Sequence, residues 1–232
     1  MSKIKINKLQ IRTEQKELVN LKFDINISMA LIGESGSGKS LTLKSILNLL
    51  PSNLESIIDI EPKDKLDRRN IGFIPQNPFT SLSPMTKIGD QFFCHENKKK
   101  EVLKLVGLED FVLNRFPSQL SGGQLQRVVI AIAISLEPML LLLDEPTTAL
   151  DTKNKEIILD LLKDLTKDLD LKILYVTHDI YSIKNLCEDI IILKNGNIIE
   201  SGKTEEILSN PKNPYTIELI NSNFINKKFR EA

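Results

Sequence analysis

A chain of 232 residues, 41% hydrophobic and 27% charged, has room for one large α/β domain with a real core and reads as a soluble globular protein. Lys+Arg and Asp+Glu both number 31, so the net charge of +0 carries no basic excess that would point to a nucleic-acid partner. Two cysteines without CxxC spacing, Cys94 and Cys187, argue against a disulfide framework or a zinc site and fit a reducing cytoplasm. The opening Met1-Ser-Lys-Ile-Lys-Ile-Asn lacks the apolar run of a signal peptide. The longest apolar runs, Val128–Leu136 and Met139–Leu143, are too short to cross a bilayer, so any membrane role has to come through a partner.

Taken in chain order, Ile4-Lys-Ile, Leu18–Phe23 and Ile25-Asn-Ile read as two or three strands. Met29–Ile32 is a short buried strand entering a glycine-rich turn, and a helix follows from about Lys39 to Leu50, stopped by Pro51. Residues 52–70 are polar and irregular around a weak strand at Ile57–Ile60, and Ile71–Ile74 is a further strand ended by Pro75. Prolines at 78, 84 and 117 punctuate a mostly helical stretch over 77–137, which ends in a strong helix from Ser121 to Leu136 with Ser121 as N-cap. The α/β pattern then resumes with a strand at Met139–Leu143, an amphipathic helix at Thr152–Leu169, a strand at Lys172–Thr177 and a helix at Asp179–Cys187. Strands at Ile190–Leu193 and Ile198–Glu200 flank an Asn195-Gly196 turn. The outline is a mainly parallel sheet with helices on both faces, interrupted by a helical insertion. The basic clusters Lys98–Lys100 and Lys227–Arg230 read as a solvated helix face and a frayed tail.

Residues 33–40, Gly-Glu-Ser-Gly-Ser-Gly-Lys-Ser, fit G-x-x-x-x-G-K-[ST] in full, between a strand and a helix. Glycines at 33, 36 and 38 let backbone N–H groups gather at a positive helix end, where phosphate oxygens are attracted. Lys39 is placed to reach the β- and γ-phosphates, and Ser40 to offer its hydroxyl to Mg²⁺. The buried run Met139–Leu143 ends in Asp144 and Glu145, suited to hold Mg²⁺ and to polarise an attacking water respectively. Ser121-Gly122-Gly123-Gln124 opens a long helix with bare backbone amides, a second anion site in a chain with one phosphate loop.

Leu120-Ser-Gly-Gly-Gln124 resembles the signature motif of ABC ATPases, and the resemblance extends over nearly the whole chain. Gln76 matches the family's Q-loop glutamine, Ala149-Leu150-Asp151 the D-loop, and His178 the switch histidine. The resemblance implies a P-loop NTPase (RecA-like) core with an antiparallel β subdomain over 1–76 and 138–232, and an inserted helical subdomain over 77–137 carrying the signature. It implies that Gly33, Glu34, Ser35, Gly36, Ser37, Gly38, Lys39, Ser40 and Leu41 hold ATP. It assigns Mg²⁺ to Ser40, Gln76 and Asp144, and catalysis to Glu145, His178, Lys39 and Gln76. Ser121, Gly122, Gly123 and Gln124 would serve the nucleotide of a second ATPase subunit, identical or sibling, facing the first head to tail. Transmembrane permease subunits, a substrate-binding protein acting indirectly, no nucleic acid, and the cytoplasmic face of the cell membrane are the implied setting. The family's early strand hairpin usually stacks an aromatic residue on adenine, but Leu9–Glu17 has none, so stacking is weak or supplied by an aliphatic such as Ile11.

The stretch from Ile74 to Gln91 and the tail from Asn210 to Leu219, with its Pro-Tyr-Thr, resemble oligopeptide, dipeptide and nickel importers. Leu125-Gln126-Arg127 with Val128–Ile134, and a tail without the cysteine-bearing extension of larger peptide-importer subunits, favour nickel or a metal chelate, with peptide import as the alternative. Cys94-His95-Glu96 does not read as a nickel site, since three consecutive helical side chains point in different directions. Two rivals of other classes are a non-transport ABC ATPase acting on ribosomes or DNA, and a binding-only regulator with a dead site. The single cassette argues against the first. Lys39, Asp144, Glu145 and His178 argue against the second.

Overall fold

Among the described residues, nine strands and seven α-helices are laid down in one pass along the chain. A computed structural model describes residues 3–62 and 70–228. Positions 63–69 of the irregular stretch and the side chains of Lys227–Arg230 lie outside the described set. The chain divides into two compact units: Met1–Leu66 with Lys172–Ala232, and Asp67–Leu171.

In the first unit, β1 (Ile4–Arg12) buries Ile4 and Ile6, then Leu9 and Ile11. The change from even to odd positions is accommodated by an irregularity in its pairing between Ile6 and Leu9, which returns the apolar side chains to the core face. β2 (Glu17–Ile25) buries Val19, Leu21, Phe23 and Ile25 in strict alternation and pairs antiparallel with β1. β3 (Ser28–Ile32) is buried throughout, as a strand flanked by parallel neighbours on both sides must be. Those neighbours are β7 (Lys172–Val176) and β8 (Asp189–Lys194). β8 turns into antiparallel β9 (Asn197–Lys203) through Asn195 and Gly196, with φ of 49° and 76°, the left-handed pair that a two-residue hairpin requires. β4 (Glu55–Glu61) adds to the far side of β1, so the strand order in this unit is β4-β1-β2-β9-β8-β3-β7. The expected sheet is therefore parallel around β3 and antiparallel around β1.

α1 (Lys39–Ile46) is a turn shorter than its pattern predicts. Asn48 adopts a left-handed φ of 53°, and the Leu49 and Asn48 N–H groups donate to the Lys44 and Ser45 carbonyls at 2.8 and 3.0 Å. That capping pair ends the helix before Pro51 can. α5 (Ile180–Leu186), α6 (Thr204–Ser209) and α7 (Pro214–Lys228) complete the unit.

In the second unit, β5 (Ile71–Ile74) and β6 (Leu140–Asp144) pair in parallel, so both strands end on one edge. Leu140–Leu143 are fully buried, each stabilising the fold by about 1.5–3 kcal/mol. α2 (Glu96–Leu105), α3 (Gly122–Ile134) and α4 (Thr152–Asp168) supply the helices. The lysines of the basic cluster each face a carboxylate: Lys98 meets Glu101 and Glu137, Lys99 meets Glu96, and Lys100 meets Asp110. The face is laced with ion pairs, but only Lys100 is exposed, while Lys98 and Lys99 are half-buried rather than solvated as expected. Among the described residues no helix is long and apolar enough to cross a membrane.

Candidate nucleotide site

β3 delivers its backbone directly into the loop 33–38, and α1 begins at Lys39. Gly36 and Gly38 take φ of 81° and 108°, the left-handed steps needed to fold successive peptides into an anion-binding nest. Gly33 admits no side chain, since a Cβ there would lie 2.2 Å from the Leu193 carbonyl oxygen. Lys39 is nearly buried, and its ammonium donates to the Gly33 and Glu34 carbonyls at 2.7 and 2.8 Å and to Ser37 Oγ at 3.4 Å. Ser40 is exposed on the first turn of α1, while Thr42 is buried and donates back to the Gly38 carbonyl.

His178 follows β7, on the same strand edge as the loop that follows β3, because the two strands are parallel. It is exposed on a braced turn. The Asp179 N–H donates to Thr177 Oγ1 at 3.0 Å, Ser182 Oγ donates to the Asp179 carbonyl at 2.7 Å, and the Ser182 and Tyr175 hydroxyls lie 3.1 Å apart.

In the second unit, Asp144 closes β6 and Glu145 turns the chain sharply with a left-handed φ of 48°. A glutamate in that region is strained, by about 1–3 kcal/mol, as is Glu137 with its φ of 52°. Glu145 Oε2 accepts from Gln76 Nε2 at 3.3 Å and from Thr148 Oγ1 at 3.1 Å. The Q-loop glutamine and the second acid are thus brought together. Thr148 was not visible as a partner in sequence, because Thr147 and Thr148 each lie three residues after one acid of the pair.

Ser121 and Gln124 form a reciprocal capping box at the start of α3. The Gln124 N–H donates to Ser121 Oγ at 3.3 Å, and the Ser121 N–H donates to Gln124 Oε1 at 3.0 Å. Gln124 is therefore engaged in the cap, and Gly122 and Gly123 present the bare backbone. Gly123 is packed against Asn154 of α4, whose Oδ1 lies 2.4 Å from where a Cβ would stand. Asn154 also donates through its backbone and side chain to Asp151, at 2.9 and 2.6 Å. The D-loop acid and the signature glycine thus share one asparagine.

Ile11 cannot meet a base, because it is fully buried between β2 and β4. Of the two ways left open for the base, the aliphatic one is removed at this residue. Cys94-His95-Glu96 gathers nothing either: Glu96 pairs with Lys99, and among the described residues no cluster of His, Cys, Asp or Glu could hold a metal.

A sequence profile described as ABC transporter matches residues 17–148. The chain belongs to the ABC transporter family. An oligopeptide transport ATP-binding protein of Bacillus subtilis is 39% identical over 232 aligned positions, covering 88% of this chain and 65% of that protein. A methionine import ATP-binding protein of Helicobacter acinonychis is 43% identical, covering 83% and 64%. A dipeptide transport ATP-binding protein of Caldanaerobacter subterraneus is 38% identical, covering 85% and 69%. This ABC chain spans about two thirds of the length of these curated relatives. A solved structure titled as the ATP binding subunit of an ABC transporter superposes with a TM-score of 0.75 at 24% identity, over 94% of this chain and 99% of that one. The ABC ATPase fold, α/β with an antiparallel portion and inserted helices, is thereby established.

Proposed function

We propose that this chain is the ATP-hydrolysing subunit of an importer for oligopeptides or dipeptides. Lys39, held in its glycine-rich cradle by two carbonyls, is the observation that carries the ATPase part. The relatives described above are named for oligopeptide, dipeptide and methionine transport, which supports the peptide reading over nickel. Residues 33–41 take the triphosphate, with Lys39 trading its carbonyl partners for β- and γ-phosphate oxygens. Glu145 orients the water that attacks the γ-phosphorus as the bond to the β–γ bridging oxygen breaks, and His178 steadies that water and the γ-phosphate. The hydroxyl of Ser40, the carboxylate of Asp144 and the amide oxygen of Gln76 are hard oxygen donors of the kind that would hold Mg²⁺, and the ion would neutralise charge developing on the phosphate oxygens.

Ser121, Gly122 and Gly123 are the anion-binding surface offered to a second ATPase subunit, and Gln124 holds that surface in shape. The exposed side chains Phe79, Met85 and Phe93, 55%, 87% and 84% accessible, are apolar groups available for contact with transmembrane permease subunits. A substrate-binding protein would act through those permeases, and the chain would sit on the cytoplasmic face of the membrane. The nickel reading is tested side by side with this one. In a strain lacking the subunit, uptake of a labelled di- or oligopeptide should fall while uptake of radioactive nickel persists. The opposite pair of results would restore nickel as the cargo.

A further inference from the structure

The tail segment Asn210–Leu219 folds back onto the phosphate loop of its own unit, although the loop needs no distant residue to satisfy its motif. Tyr215 is buried at the start of α7, and its hydroxyl accepts the Glu34 N–H at 3.1 Å. The peptide that carries this N–H also carries the Gly33 carbonyl, the same carbonyl that receives the Lys39 ammonium at 2.7 Å. One peptide group is therefore gripped on both sides, by Tyr215 on its donor and by Lys39 on its acceptor. Bonds in such a chain polarise and strengthen one another.

Tyr215 is itself held firmly. The Lys194 ammonium stands 4.2 Å from the centre of its ring. Its backbone N–H donates to Asn213 Oδ1 at 2.9 Å. The N–H groups of Lys212 and Asn213 donate to the Glu200 carboxylate on β9 at 2.9 and 3.1 Å. Burial pushes the phenol pKa up, so the group is a neutral hydroxyl at physiological pH.

We propose that Tyr215 is a positioning residue for nucleotide binding, orienting the Gly33–Glu34 peptide and through it the resting place of Lys39. The inference rests on the reading of residues 33–41 as the triphosphate cradle. Without the hydroxyl the exposed Glu34 peptide is satisfied by water and is free to rotate. The loop must then be ordered by the incoming phosphates, and affinity falls by the cost of that ordering.

The test compares Tyr215→Phe, Tyr215→Leu and Lys39→Ala in the full chain. The readouts are binding of a fluorescent N-methylanthraniloyl ATP with Mg²⁺, hydrogen exchange at the Glu34 amide, and the melting temperature. Tyr215→Phe keeps the ring beneath Lys194 and should weaken nucleotide binding roughly two- to tenfold with lost protection at the Glu34 amide. Tyr215→Leu should weaken binding to the same degree while also lowering the melting temperature. Unchanged affinity in Tyr215→Phe, or a loss confined to the Leu variant and tracking its melting temperature, would make the tyrosine a packing residue and overturn the proposal. Full nucleotide binding by Lys39→Ala would instead remove the cradle reading itself, and with it the role of Tyr215.

Discussion

Glu145 takes a backbone angle that is unusual for its residue type, at the turn where β6 ends. Of the described residues outside glycine with positive φ, Asn48, Asp170 and Asn195 are of types that tolerate the left-handed region, whereas Glu137 and Glu145 are not. The acid pair was legible in sequence because an apolar strand ran into it. Its grip by Thr148 was not, since nothing in residue type distinguishes that threonine from its neighbour Thr147. The two cysteines separate equally sharply at this scale. Cys94 is partly exposed, while Cys187 is fully buried, and that burial, with Asp189 nearby, pushes its thiol pKa far above the ordinary range. One thiol per chain should therefore react quickly with Ellman's reagent at about pH 8, and the second only after denaturant is added. Rapid reaction of both in the folded chain would contradict this packing.

The elements followed their sequence patterns where a cap or a fully buried run defined them, and departed where competing local bonds took over. α3 begins at Ser121 as its capping box dictates, whereas α1 stops at Ile46 because Asn48 closes it early. α7 went unseen as a helix, although Asn213 before Pro214 is a start signal in itself: the asparagine caps and the proline occupies the first turn. The contact between α3 and α4 makes two predictions. Gly123→Ala places a methyl where Asn154 Oδ1 stands, and should destabilise the fold by about 1–3 kcal/mol. Adding Asn154→Ala to it should recover most of that loss in denaturant titrations. An additive double variant would mean that the two residues do not compete for the same space. At the start of α4, Asp151 is held below its usual 3.8, first by the Asn154 N–H and then by its side chain. A depressed folded pKa gives stability that is present above the unfolded value and lost as pH falls through the folded one. The melting-temperature advantage of the wild type over Asp151→Asn should therefore be full near neutrality and shrink as pH drops below about 4. A difference independent of pH would remove charge from the cap.

At the scale of the whole chain, the order of motifs carried the family, and the fold followed from it. The parallel character of the sheet around β3 was implicit in alternating apolar strands and helices, but its strand order and the pairing of β2 with β9 through Asn20 and Asn197 were not, because contacts so far apart in sequence leave no local period. The cargo was the least legible property. Nickel rested on Leu125–Ile134 near the signature and on the tail, and the relatives are instead named for oligopeptide, dipeptide and methionine transport. The central claim is that this molecule binds ATP and cleaves it with Glu145. It is tested most directly by measuring nucleotide binding and phosphate release by the wild type and Glu145→Gln in parallel. The account predicts that the variant binds ATP as tightly as the wild type, accumulates as an ATP-bound dimer, and releases phosphate at least roughly 100-fold more slowly. Phosphate release by Glu145→Gln at the wild-type rate would contradict it.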